Sequence, residues 1–124
     1  MPKKILIADD DPSVAEMLTQ TLTAEGYETF KATQSLRFYD AVREYHPDLI
    51  LLDLMMPYLE GDDELRLLDM SPETRDIPVI VVTAKHEARQ ELPRYRQMGV
   101  VDIVLKPYKI EQLLDIIRRT IGNA

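Results

Sequence analysis

Short apolar runs that each end in a polar residue constrain this chain more than any other feature. The runs and the residues that follow them are Ile5–Ala8 before Asp9 and Asp10, Leu49–Leu52 before Asp53, Val79–Val82 before Thr83, and Ile103–Leu105 before Lys106. Runs of this length, alternating with stretches of helical apolar spacing, are typical of a parallel sheet with helices on both faces. Since the carboxyl ends of parallel strands meet at one crevice, we expect these polar side chains to lie close together.

Strand and helix alternate five times along the chain. Helices are expected at Pro12 to Glu25, Ser35 to Tyr45, just after Gly61 up to Ser71, His86 to Met98, and Lys109 to Ile121, and the second strand at Tyr27 to Ala32. The mixed polarity of the second strand favours an edge of the sheet, whereas the uninterrupted apolar run of the third favours its centre.

Local signals predict details of two helices. Asp11 is a suitable N-cap for the first helix, because Asp accepts hydrogen bonds from the free N–H groups of a first turn. The inward face of that helix is predicted to carry the apolar residues Val14, Met17, Leu18 and Leu22. Pro93 lacks a backbone N–H and would clash inside a regular helix, so the fourth helix is expected to be kinked or to begin late.

Composition restricts the class of protein. The 124 residues are enough for one globular domain, and we expect a single domain over residues 1–124. The apolar runs fall far short of the roughly 20 residues that span a bilayer, so we expect no membrane insertion. The first residues do not resemble a signal peptide, and we therefore expect a cytoplasmic location. The absence of cysteine excludes disulfides and thiolate chemistry, and a net charge of -7 disfavours direct binding to nucleic acid.

The predicted crevice has the chemistry of a phosphoryl site. Three carboxylates, from Asp9, Asp10 and Asp53, outnumber the ammonium group of Lys106 and leave an excess of negative charge that a divalent cation would neutralise. Oxygen-only ligands favour Mg²⁺ or Mn²⁺ over Zn²⁺. Asp53 is the candidate nucleophile, because a carboxylate can attack phosphorus and form an acyl phosphate when the charge of the incoming group is neutralised.

In their order and spacing these residues resemble the receiver domain of bacterial two-component response regulators, and in particular the single-domain chemotaxis type. The matching motif consists of Asp9-Asp10, Asp53 with Met56-Pro57-Tyr58-Leu59-Glu60-Gly61, Thr83, and Lys106-Pro107. The resemblance covers the whole chain. It implies a flavodoxin-like (βα)5 fold with a five-stranded parallel sheet in the order 2-1-3-4-5, and a cis peptide bond between Lys106 and Pro107.

The resemblance also implies a function. The chain would accept a phosphoryl group on Asp53 from the phosphohistidine of a sensor histidine kinase or a histidine phosphotransfer protein, and would then switch its binding to an unknown downstream protein. It would catalyse its own phosphorylation and dephosphorylation, and would otherwise not be an enzyme.

Residue roles follow from the same resemblance. Asp10, Asp53 and the backbone carbonyl of Met55 are expected to bind Mg²⁺ directly, and Asp9 largely through water. The ammonium of Lys106 is expected to pair with the phosphoryl oxygens, and Thr83 to donate its hydroxyl to one of them.

Three positions depart from the family pattern or vary within it. Ile103 stands where many receivers carry an aromatic residue that turns inward in the active state. Met55 and Lys85, each two residues after a motif residue, occupy positions that in the family tune the rate of dephosphorylation.

Three other functions share part of this residue pattern. A phosphatase of the haloacid dehalogenase type uses similar Asp, Mg²⁺, Thr and Lys chemistry, but it needs a second Asp where this chain has Met55. A degenerate receiver that works without phosphorylation is disfavoured by the intact set of site residues. A flavodoxin-like nucleotide-binding domain is disfavoured because four dispersed glycines do not form a phosphate-binding loop.

Overall fold

The computed structural model describes residues 2–34, 37–55 and 61–124. The strands are β1 (Lys4–Ala8), β2 (Glu28–Ala32), β3 (Leu49–Leu52), β4 (Val79–Thr83) and β5 (Val100–Leu105). The helices are α1 (Pro12–Ala24), α2 (Phe38–Tyr45), α3 (Gly61–Met70), α4 (Leu92–Arg96) and α5 (Ile110–Ile121), and a 3₁₀ helix (His86–Glu91) precedes α4. Strand and helix alternate as predicted.

The sheet has five parallel strands in the order β2-β1-β3-β4-β5, which confirms the predicted order. β3 is central and all four of its residues are buried. β2 lies at one edge, as its mixed polarity indicated, and β5 lies at the other. The register places Ile5 of β1 opposite Thr29 on one side and Leu49 on the other.

Alternation along each strand divides the interior into two apolar layers, because successive side chains of a strand point to opposite faces. One layer joins the sheet to α2, α3, the 3₁₀ helix and α4, and it includes Leu6, Ile50, Val81, Ile103, Phe38, Leu65, Ala88 and Tyr95. The other joins the sheet to α1 and α5, and it includes Ile5, Leu51, Ile80, Val104, Leu18, Leu22, Leu113 and Ile117. Both faces of the sheet are therefore covered.

The start of α1 follows the local signals in the sequence. The Asp11 carboxylate accepts hydrogen bonds from the N–H groups of Ser13 at 2.9 Å and Val14 at 3.4 Å, so Asp11 is the N-cap as predicted. Pro12 occupies the first turn, where its missing N–H costs nothing.

The prediction that Met17 lies on the inward face of α1 was wrong. Met17 is 50% exposed, and the buried residues are Ala15, Leu18 and Leu22. Because each residue turns a helix by about 100°, the 15-18-22 spacing keeps one side toward the sheet and leaves Met17 beside it.

Several element boundaries differ from the predictions, most of them by one residue. β5 begins at Val100 rather than Ile103, and its register steps from Val100 opposite Val79 to Asp102 opposite Ile80, passing over Val101. This irregularity breaks the alternation of apolar and polar residues that would have marked the strand in the sequence. β2 begins at residue 28 instead of 27, and α2 begins at residue 38, whereas its predicted start at residue 35 lies outside the described residues.

The fourth helix begins late, as Pro93 indicated. Residues 86–91 form the 3₁₀ helix, and α4 starts at Leu92 with Pro93 in its first turn. Among the helices of the described residues, none is long and apolar enough to cross a bilayer.

Candidate functional site

Hydrogen bonds of the sheet continue beyond the strands and bring the predicted site residues to one edge. The backbone N–H of Asp53 donates to the carbonyl of Ala8 at 2.9 Å, and that of Lys106 donates to the carbonyl of Thr83 at 2.8 Å. Asp53 is thereby fixed beside the end of β1, where Asp9 follows, and Lys106 beside the end of β4. The crevice predicted from the sequence is present at the carboxyl ends of these strands.

Three strand ends share one local motif, in which a side-chain oxygen accepts a hydrogen bond from the backbone N–H two residues later. The pairs are Asp9 Oδ1 with Asp11 at 3.0 Å, Asp53 Oδ1 with Met55 at 2.9 Å, and Thr83 Oγ1 with Lys85 at 3.2 Å. Asp and Thr form such turns readily, since their short side chains reach the following backbone. Each motif holds one oxygen of the side chain and orients the rest of it.

Lys106 is the internal cation of the site. Its ammonium donates to Asp9 Oδ2 at 2.7 Å and to Asp53 Oδ2 at 3.0 Å. The two carboxylates are nearly enclosed, with side chains 4% and 8% exposed, whereas the Lys106 side chain is 21% exposed. In this structure Lys106 therefore pairs with the carboxylates of the site, an arrangement that the sequence did not indicate.

The protonated form of Lys106 is favoured on balance. Burial alone would lower the pKa of its ammonium, but hydrogen bonds and charge attraction from Asp9 and Asp53 outweigh burial, and the pKa is raised above the ordinary lysine value. Lys106 is therefore a permanent positive charge in the crevice at neutral pH.

The carboxylates form a cluster of the kind that holds a divalent cation. One oxygen from each of Asp9, Asp10 and Asp53 lies within 4.8 Å of the others, and Asp10 is exposed at the mouth of the crevice. Because Lys106 balances only one of the three carboxylates, net negative charge remains. Hard oxygen donors with an excess of negative charge suit Mg²⁺ or Mn²⁺, so the residues present fit the ion expected from the sequence.

Thr83 is fully buried at the last position of β4. Its oxygen accepts from the N–H of Lys85, which leaves the hydroxyl proton available to another acceptor. Met55 lies two residues after Asp53, and its backbone N–H donates a hydrogen bond to the Asp53 carboxylate. The motif residues Met56 to Glu60 lie outside the described residues.

Tyr108 is a neighbour of the site that the sequence motif does not include. It follows the Lys106–Pro107 peptide bond, which is cis as predicted. Its hydroxyl is buried and has no hydrogen-bond partner in the described part of the chain. The pKa of the Tyr108 phenol is raised, mainly because the hydroxyl is buried. The charge of Lys106 lowers this pKa and that of Asp9 raises it, so the phenol lies close enough to the crevice to interact with both. An aromatic residue directly after Lys-Pro was the signal available in the sequence.

A five-stranded parallel sheet in the order 2-1-3-4-5, with helices on both faces, defines the flavodoxin-like class of α/β folds. The model of the response regulator receiver domain family matches residues 5–118. The chain is therefore a member of the response regulator receiver domain family of two-component systems, as the resemblance implied.

Curated relatives agree with this assignment. The DNA-binding response regulator MtrA of Mycolicibacterium smegmatis is 39% identical over 118 residues, which are 95% of this chain and 50% of MtrA. The polar-differentiation response regulator DivK of Brucella ovis is 33% identical over the full length of both chains. The chain thus spans about half the length of the MtrA regulators and all of DivK.

Solved structures share the fold. A putative response regulator from Chloroflexus aurantiacus superimposes with a TM-score of 0.86 at 25% identity, covering 99% of this chain and 100% of that one. The receiver domain of the sensor histidine kinase PA1611 from Pseudomonas aeruginosa superimposes with a TM-score of 0.84 at 25% identity, with the same coverage. In that protein a magnesium ion is coordinated in the active-site cleft.

Proposed function

We propose that this chain is a phosphorylatable signalling module that accepts a phosphoryl group on Asp53 and thereby changes its binding to a partner protein. The observation that carries the proposal is the position of Asp53, which is nearly enclosed between the Lys106 ammonium and two further carboxylates. A carboxylate held in this way can approach phosphorus in line while neighbouring groups offset the charge of the incoming oxygens.

The reaction at Asp53 is a direct transfer. One carboxylate oxygen attacks phosphorus, an acyl phosphate bond forms, and the bond from phosphorus to the donor nitrogen or oxygen breaks. Both oxygens of Asp53 are hydrogen-bonded, Oδ1 to the Met55 N–H and Oδ2 to Lys106, so the carboxylate is oriented before the donor arrives. Such orientation lowers the entropic part of the barrier.

Asp9, Asp10, Asp53 and the carbonyl of Met55 would hold Mg²⁺ or Mn²⁺. When bound, the ion supplies positive charge next to the transferring group and so reduces its repulsion from Asp53. The Lys106 ammonium is near enough to Asp53 to move from the carboxylate to a phosphoryl oxygen as the carboxylate loses its charge. The free hydroxyl proton of Thr83 provides a second donor to the phosphoryl group.

The partners follow from the reaction. The donor would be a sensor histidine kinase or a histidine phosphotransfer protein, and the receiver would lie in the cytoplasm with it. The receiver would also catalyse its own dephosphorylation by water. The match to DivK over the full length of both chains supports a single receiver domain over residues 1–124. The proposed target of this domain is a downstream protein.

The test is intact mass after incubation with acetyl phosphate or phosphoramidate and Mg²⁺. The wild-type chain should gain one phosphoryl group only when Mg²⁺ is present, and the Asp53→Asn variant should gain none. Asp115→Asn, which changes an exposed carboxylate of α5, serves as the matched control and should behave as the wild type. A gain that persists in Asp53→Asn would overturn the assignment of the phosphoacceptor.

A further inference from the structure

On the outer edge of β5, the backbone groups of one residue are hydrogen-bonded to side chains of the same protein. Within the described part of the chain β5 pairs only with β4, so alternate backbone groups of β5 point away from the sheet. At Ile103 both of these groups are bound. Its N–H donates to Asp102 Oδ1 at 2.8 Å, and its carbonyl accepts from Arg89 Nη1 at 2.8 Å.

The two capping side chains also face each other. Arg89 Nη1 lies 3.9 Å from Asp102 Oδ1, so the guanidinium, the carboxylate and the Ile103 backbone form one small network. The Ile103 side chain is fully buried in the layer beneath. Arg89 thus contacts the backbone of the residue that replaces the aromatic found at this position in many receivers.

Arg89 lies in the 3₁₀ helix, which follows shortly after Thr83 at the end of β4. The N–H of Lys85 donates to Thr83 Oγ1, and the carbonyl of Lys85 accepts from the N–H of Ala88 at 3.1 Å. Ala88 is buried against the sheet. A continuous path of short contacts therefore joins the Thr83 hydroxyl, the 3₁₀ helix and, through Arg89, the outer edge of β5.

We propose that Arg89 is a latch that holds the 3₁₀ helix against β5 in the unphosphorylated domain and releases the Ile103 carbonyl when Asp53 is phosphorylated. The proposal rests on the function proposed above. If Thr83 turns its hydroxyl toward a phosphoryl group, the contact with Lys85 changes, and the 3₁₀ helix that carries Arg89 is free to shift.

The latch is weak enough to open. The Arg89 side chain is 52% exposed, so water competes for its donors and the ion pair with Asp102 is screened. A ligand shifts a two-state equilibrium only by its differential affinity for the two states, and a weak latch needs only a small difference. Loss of the latch should therefore raise the population of the open arrangement by about three- to tenfold.

The test compares Arg89→Gln with Arg66→Gln, which removes another exposed arginine whose ion pair with Asp63 lies on α3. Amide spectra are recorded with and without beryllofluoride, a phosphoryl mimic, and phosphorylation rates are measured with phosphoramidate. The Val104 amide nitrogen is the reporter, because it shares a peptide group with the Ile103 carbonyl and responds to loss of its hydrogen bond.

In the wild type, beryllofluoride should shift the Val104 signal. In Arg89→Gln the signal should already lie toward the shifted position without the mimic, and phosphorylation should be about three- to tenfold faster, while Arg66→Gln matches the wild type. Arg89→Lys, which keeps the charge but shortens and reshapes the donor, should fall between the two.

The outcomes separate the two proposals. If Asp53 is phosphorylated normally but Arg89→Gln leaves both the Val104 signal and the rate unchanged, the latch is wrong and the proposed function stands. If the wild type neither binds the mimic nor gains a phosphoryl group, the proposed function fails, and the regulatory role of Arg89 fails with it. An unfolded Arg89→Gln variant would contradict the description of Arg89 as a weak, exposed contact.

Discussion

Single residues of the crevice do more than one task, and Lys106 is the clearest case. Its ammonium bridges two nearly enclosed carboxylates that would otherwise repel each other. The same ammonium is the proposed partner of the phosphoryl group. Under the proposed function, the lysine would serve first as the counter-ion of the two carboxylates and then as a hydrogen-bond donor to the phosphorylated product.

Replacing Lys106 should destabilise the fold in the absence of divalent cations. Lys106→Gln leaves Asp9 and Asp53 without their cation, and we expect a loss of about 1–3 kcal/mol in the free energy of unfolding. Added Mg²⁺ should recover more stability in this variant than in the wild type, because the ion no longer competes with the ammonium. Urea unfolding with and without Mg²⁺ measures both effects, and Lys109→Gln is the exposed control. Equal stability of the two variants without Mg²⁺ would show that the bridge contributes nothing.

The contribution of Lys106 should also depend on pH in one direction only. Its pKa is higher in the folded chain than in the unfolded chain, where the usual lysine value is about 10.4. The stabilisation is therefore fully present below that value and is lost as the pH rises through the folded-state pKa. The stability difference between the wild type and Lys106→Gln should be flat from pH 7 to about 10 and should shrink above it. A difference that already shrinks between pH 7 and 9 would contradict the raised pKa.

At the scale of elements, the rotation of each helix decides which apolar residues enter the core. α1 carries adjacent apolar residues, and the sheet selects among them. Leu18 is buried and Met17 is half exposed beside a surface groove shared with Pro107 and Tyr108. Hydrophobicity alone did not distinguish these two positions.

The rotation of α1 can be tested by a matched pair of substitutions. Leu18→Ala should cost about 2–5 kcal/mol of unfolding free energy, because it leaves a cavity in a packed layer. Met17→Ala should cost about 0.5 kcal/mol or less, as a surface change does. Urea unfolding of both variants provides the measurement, and equal costs would mean that α1 is rotated relative to the arrangement described.

For the molecule as a whole, the candidate site joins loops that follow four strands, so binding of the proposed cation would be coupled to folding. The acidic cluster exists only when β1 and β3 are side by side. The chain also carries a net charge of -7, so concentrated carboxylates at one edge oppose the compact state.

Mg²⁺ should therefore stabilise the folded chain. An ion that binds only the folded state at a hundredfold excess over its dissociation constant contributes about 2.7 kcal/mol. Asp10→Asn should remove most of the shift in thermal or urea unfolding, whereas Asp115→Asn should keep it. Superimposable unfolding curves with and without Mg²⁺ would contradict a cation site in this crevice.

Local sequence patterns determined much of this protein. The apolar runs marked three central strands, Asp11 and Pro12 marked the start of α1, and Pro93 marked the late start of α4, because each signal acts through its own few residues. The order of strands and the candidate site came from spacing and from resemblance to a family, since the polar residues are far apart in the chain.

Tertiary structure decided the remaining features. The burial of Leu18 over Met17, the shifted register of β5, the bridge from Lys106 to Asp9 and Asp53, and the bond from Arg89 to Ile103 all depend on which elements meet and at what rotation. A flexible side chain can form a hydrogen bond or an ion pair only after the folded backbone has placed a donor or an acceptor within its reach. Patterns along the chain therefore predict where strands and helices begin and end. Only long-range packing decides how the helices are rotated and which side chains form pairs.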